Sequence, residues 1–159
     1  MNDMLNVGIG EIAVLDKPGK IGAIGLGSCV AVAMFDPVAK VGGMVHVLLP
    51  DSRGQKTELP GKFADTGIPE LLRLMEEKGA RRDRIIVKIA GGASLMNVNV
   101  GNFGDIGKRN VEAVREQLSA LNLRLQGEDI GGNEGRTFIL DLAAGTFSVK
   151  TTRGGLHQI

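Results

Sequence analysis

Glycine sets the rhythm of this chain. It supplies 24 of 159 residues, about twice its usual ~7% share. The glycines gather in GAIGLG, VGGM, AGGAS, GNFGDIG, DIGGNEGR and RGGL, between short apolar segments and at no fixed period. That pattern marks tight turns and close backbone approach, and excludes a repeat or a low-complexity tract. A chain cut this way makes many short strands. Residues 9–15, 21–26, 29–35, 41–49, 84–90 and 123–128 read as strands, and 136–142 with 146–152 read as a hairpin turned at Ala144-Gly145.

Two stretches carry helical spacing instead. In residues 67–78, Ile68, Leu71, Leu72 and Met75 form one apolar stripe; Thr66 or Gly67 suits the cap, Pro69 the first turn and Gly79 the end. In residues 107–121 the stripe is Val111, Val114, Leu118 and Leu121. Residues 51–66 are polar with Gly and Pro and read as a long exposed loop. The order of strands, helix, strand, helix, strands predicts an α+β fold. The expected architecture is a layered α/β sandwich with a mixed, mostly antiparallel sheet and two main helices, in one domain over residues 1–159.

Composition removes several functions. The formal net charge is +1, and Trp and Tyr are absent. A polyanion partner is therefore not expected, and neither is an aromatic platform for nucleic acid. One cysteine forms no internal disulfide and builds no Cys-rich zinc site, so no metal or cofactor is expected. No basic segment followed by an apolar core opens the sequence, so no signal peptide is expected. The uncharged apolar run Ile21 to Phe35 is shorter than the ~20 residues of a spanning helix, so direct membrane insertion is not expected. The chain reads as soluble and intracellular, where a thiol stays reduced.

That thiol is Cys29, and one of the two histidines, His46, follows across an Asp36-Pro37 link. If 29–35 and 41–49 form an antiparallel hairpin with a turn at 36–39, Phe35 faces Lys40. Continued along the strands, this register makes Cys29 and His46 direct cross-strand neighbours. Their Cβ atoms would lie about 4.5–5.5 Å apart, within reach of a sulfur–imidazole hydrogen bond. A thiol beside an imidazole is an acyl-transfer nucleophile with its own proton carrier. In the preceding GLGS, backbone amides around Gly27, Ser28 and Cys29 could form an oxyanion hole. The bland alternatives are a cysteine acting as a small hydrophobe and a packed core histidine. His157, near the end of the sequence after RGGL, is expected to be a tail residue outside the site. A redox-sensing thiol lacks a resolving cysteine, and no glycine cluster spells a phosphate-binding loop.

LGSCVAV and GGMVHVLLPDS, followed by KIAGGASLM, DIGKRN and DIGGNEGR, resemble the chemoreceptor glutamine deamidase family, CheD. The resemblance runs in order along nearly the whole chain. It implies a cytoplasmic chemotaxis hydrolase of layered α/β fold, similar to the deamidating domain of a bacterial cytotoxin. Such an enzyme converts particular glutamines of methyl-accepting chemotaxis receptors to glutamates, with ammonia released. The resemblance implies Cys29 as nucleophile, His46 as its partner, and a CheC-type phosphatase as a binding partner. The family's third site residue, a threonine six positions before the cysteine, is Ala23 here. That departure motivates an alternative: a catalytically weakened binding module for receptors and the phosphatase. A backbone carbonyl could take over the lost orienting role, as could the hydroxyl of Ser28 or Ser94, for which turn hydrogen bonding is the simpler role.

Overall fold

A computed structural model describes residues 4–94 and 105–159. The later parts of KIAGGASLM and the earlier part of GNFGDIG fall outside them. The strands are β1 (Met4–Asn6), β2 (Ile12–Leu15), β3 (Lys20–Leu26), β4 (Val30–Asp36), β5 (Val41–Val47), β6 (Ile86–Gly91), β7 (Leu125–Ile130), β8 (Arg136–Asp141), β9 (Thr146–Thr151) and β10 (Gly155–Gln158). The helices are α1 (Ala64–Glu77) and α2 (Ile106–Ala120). The α+β layered sandwich is thus present. Its strands divide between two mixed sheets, ordered β1-β3-β8-β9-β10 and β2-β5-β4-β6-β7. The β1–β3 and β6–β7 pairs are parallel and the other pairs antiparallel.

Alternation along β4 explains the layering. Val30, Val32 and Met34 pack with Ile68, Leu71, Met75, Val114 and Leu118 of the helices. Ala31, Ala33 and Phe35 pack with Ile21, Phe138, Leu140 and Val149 of the other sheet. Every residue of β4 and β5 is buried, because this hairpin is covered on both faces. Truncating a core residue such as Leu71 or Phe138 to alanine would cost about 2–5 kcal/mol.

Helix α1 starts earlier than its spacing suggested. Neither Thr66 nor Gly67 caps it; it begins at Ala64 with no side-chain cap on its first amides. The entry is held from outside: Asp65 accepts from the Ser52 amide and hydroxyl, and Thr66 donates to the Pro60 carbonyl. The long loop before it contains a 3-10 turn at Pro60–Lys62. Helix α2 starts at Asp105, whose side chain accepts from the Lys108 amide at 3.2 Å. Its buried face holds the expected Val111, Val114 and Leu118, and also Asn110.

Two strands were not expected. Met4–Asn6 pairs with β3, and the segment expected to be a tail forms β10 on the edge of β9. His157 in β10 hydrogen-bonds Asp129 at 2.8 Å. The β4–β5 register also differs from the expected one. Asp36 pairs with Val41 and Ala31 pairs with His46, so the loop has four residues, Pro37 to Lys40, and the pairing moves by two. Lys40 takes a left-handed φ of 58° and its amide donates to the Asp36 carbonyl, which closes a turn of the expected length one position further along the chain. Because the side-chain period is two, this shift keeps every residue on its expected face.

Candidate active site

His46 projects from β5 toward the layer between the sheets, as Met44 does. Its cross-strand partner is Ala31, not Cys29. Cys29 lies one residue before β4, in the same inter-sheet cluster as Ala31, which makes it a diagonal neighbour of His46 at the open end of the hairpin. Cys29 retains 7% of its surface exposure and His46 retains 3%. Any molecule that touches either must therefore enter the end of the inter-sheet layer.

The imidazole is fixed by a segment that the sequence did not single out. Nδ1 lies 3.0 Å from the Val7 carbonyl oxygen, an acceptor only, so Nδ1 carries the hydrogen. Nε2 is buried and has no hydrogen-bond partner among the described residues, the thiol included. The backbone of the same segment grips His46 twice more: the Gly10 amide donates to the His46 carbonyl, and the His46 amide donates to the Glu11 carbonyl. Val7 is in turn tied to β3, its amide donating to the Gly22 carbonyl at 2.8 Å, beside fully buried Ala23. The acceptor is thus a main-chain oxygen, and neither Ser28 nor Ser94 fills that role on Nδ1. Val7 follows a β-strand too short to show periodicity, and nothing in the sequence marked it.

Electrostatics keeps the pair neutral at rest. Burial pushes the Cys29 thiol above its ordinary 9.0, against a smaller lowering by its own backbone N–H. Burial pushes His46 below its ordinary 6.5, opposed by the Val7 carbonyl and the Glu11 carboxylate. Neutral sulfhydryl beside neutral imidazole leaves Nε2 as a free base.

The GLGS loop is pinned through its carbonyls. Gly27 accepts from the Ala93 amide at 2.8 Å, Ser28 from Asn110 Nδ2 at 3.0 Å, and Cys29 from the Gly92 amide at 2.8 Å. Gly91, with φ 120°, passes so close to the Cys29 carbonyl that any Cβ would collide with it. Asn110 also donates to the Leu48 carbonyl at 2.9 Å. Its orientation is chemically forced, since both neighbours are carbonyl oxygens and only the amide nitrogen has two hydrogens. A single Asn inside an apolar helical stripe was the available signal for it. Among the described residues, four buried side-chain polar atoms lack a partner: His46 Nε2, Asn110 Oδ1, Glu134 Oε2 and Arg136 Nε. Two of the four, His46 Nε2 and Asn110 Oδ1, belong to this candidate site.

Among the described residues, no three His, Cys, Asp or Glu side chains gather to hold a metal, and no helix is long and apolar enough to cross a membrane. Fold and site together define a class: a helix-backed double-sheet sandwich with one thiol and one fixed imidazole at the open end of its central hairpin. The chain belongs to the CheD family, whose model, described as CheD chemotactic sensory transduction, matches residues 48–151. It is 49% identical over 149 residues to a Thermotoga maritima protein named chemoreceptor glutamine deamidase CheD, covering 94% of this chain and 92% of that one. A Clostridium botulinum protein named probable chemoreceptor glutamine deamidase CheD is 43% identical, with 99% of each chain covered. A Methanococcus vannielii protein of the same name is 42% identical, with 92% of this chain and 94% of that one covered.

Proposed function

We propose that this protein hydrolyses the side-chain amide of specific glutamines on methyl-accepting chemotaxis receptors, giving glutamate and ammonia. Cys29 is the nucleophile and His46 the proton carrier. The observation that carries this reading is the imidazole with Nδ1–H held by Val7 and Nε2 left unpaired, on the face where Cys29 sits. The deamidase names of relatives that align over nearly the whole chain support the substrate class.

In the reaction, the Cys29 proton passes to His46 Nε2 as the sulfur attacks the amide carbon. The carbonyl π electrons move to oxygen, where the backbone N–H groups of Ser28 and Cys29, in the Gly27–Cys29 segment, stabilise the oxyanion. The imidazolium then protonates the nitrogen, the C–N bond breaks, and ammonia leaves a thioester. Water, deprotonated by His46, attacks the thioester, and the thiol is restored as glutamate departs. The imidazolium is favoured by the Val7 carbonyl and by Glu11, which lies close enough to act on the ring.

A cytoplasmic location and a CheC-type phosphatase partner belong to the same proposal. The alternative of a weakened binding module rested on Ala23 lacking a hydroxyl. The Val7 carbonyl takes the orienting bond, so Ala23 gives no reason to expect weak catalysis. Incubation with receptor cytoplasmic fragments, followed by mass mapping of Gln-to-Glu conversion, tests the reading. Conversion by the wild type and none by Cys29→Ala is expected. No conversion by the wild type, or equal conversion by both, would overturn it.

A further inference from the structure

Asn110 is completely buried, sits on α2, and touches neither Cys29 nor His46 through any hydrogen bond among the described residues. Its two amide hydrogens bridge the two segments that carry them: the Ser28 carbonyl, in the peptide that ends at Cys29, and the Leu48 carbonyl, two residues after His46. The helix comes close enough because Gly107 lies against the Gly92 and Ala93 carbonyls, where a Cβ would be 2.5 Å from the Ala93 oxygen.

In a trans peptide the C=O and N–H point in opposite directions. Drawing the Ser28 carbonyl toward α2 therefore turns the Cys29 N–H the other way. That N–H lies against the cysteine's own sulfur. The Ala93 amide does the same for the peptide before, drawing in the Gly27 carbonyl and turning out the Ser28 N–H. Neither of these outward amides donates to a backbone carbonyl among the described residues.

We infer that Asn110 is a positioning residue for acyl transfer: it aims the Cys29 amide at the developing oxyanion and fixes the spacing between the thiol and imidazole segments. The inference rests on the deamidase reading given above. It explains why a buried amide is kept on an apolar helical stripe although its Oδ1 has no partner among the described residues. A leucine of similar size would satisfy packing but leave both carbonyls without a donor.

The test compares two reactions of the same sulfur. Deamidation of a receptor cytoplasmic fragment passes through an oxyanion. Alkylation by iodoacetamide is a displacement at saturated carbon and does not. Asn110→Leu is expected to lower kcat on the order of 10²-fold, as loss of an oxyanion donor does, with KM changed by less than about twofold. The alkylation rate of Cys29 should stay within about threefold of wild type, and Asn110→Ser, with one hydroxyl donor, should fall between. An unchanged kcat would overturn the inference. So would kcat and alkylation falling by the same factor, which is the signature of general disorder; if the leucine variant does not fold, the serine variant decides by the same ratio. Cys29→Ala separates the two levels: if it stays active, the nucleophile reading fails, whereas an inactive Cys29→Ala beside a fully active Asn110→Leu sinks only the role of Asn110.

Discussion

The two ends of the β4–β5 hairpin bury polar groups to similar depth and treat them differently. At the turn end, Asp36 is fully buried and its carboxylate accepts five hydrogen bonds: from the Val38, Ala39 and Arg81 amides and two from the Arg84 guanidinium. Burial alone would raise its pKa, but these donors together hold it below the ordinary 3.8. At the open end, His46 is nearly as deep, and one ring nitrogen has no partner among the described residues. A polar group with every lone pair used fixes architecture. One with a lone pair left over, next to a thiol, is what the proposed acyl transfer would use to take up a proton.

Substitutions at the two ends should separate rate from stability. Cys29→Ala should lower deamidation more than about 10⁴-fold, as removal of a catalytic nucleophile does, while changing the unfolding free energy by about 1 kcal/mol or less. Mass mapping and urea denaturation measure the two quantities. Asp36→Ala should do the reverse. It leaves Arg84 and the Arg81 amide without their acceptor, which costs about 3 kcal/mol of stability, and kcat of the folded fraction should stay within about twofold.

Acid should act on the two ends in separate windows. His46 stays neutral in the fold below its ordinary 6.5, whereas the unfolded chain takes up a proton there, so stability falls as pH drops through that value. Asp36 contributes stability above its ordinary 3.8 and loses it only as pH falls through its lower folded value. Denaturation as a function of pH checks both, since His46→Gln should remove the first decline and Asp36→Asn the second. The smallest effect is expected from Glu11→Gln. It removes a carboxylate that raises the His46 pKa, so the imidazole should titrate still lower by NMR, with kcat/KM changed by less than about threefold.

The hairpin also shows what a sequence does and does not express. Val-rich, glycine-bounded runs made the central strands legible, and both helical stripes fell where their spacing put them. The register was wrong by two because Lys40 adopts a left-handed conformation that a lysine side chain does not advertise. The face of Cys29 and His46 survived that error, since only an odd shift would invert it. Met4–Asn6 and Gly155–Gln158 were missed because edge strands of three and four residues owe their form to a neighbour, not to their own pattern. Val7 was missed for a related reason: its contribution is a main-chain oxygen, which every residue type possesses.

That oxygen makes the candidate site depend on a segment distant in sequence from both Cys29 and His46. A polypeptide without residues 4–7 would keep its sulfur and its imidazole, and every recognisable motif. Its ring would nonetheless be free to swap tautomers, spending part of its time with the hydrogen on Nε2, where it could no longer accept a proton.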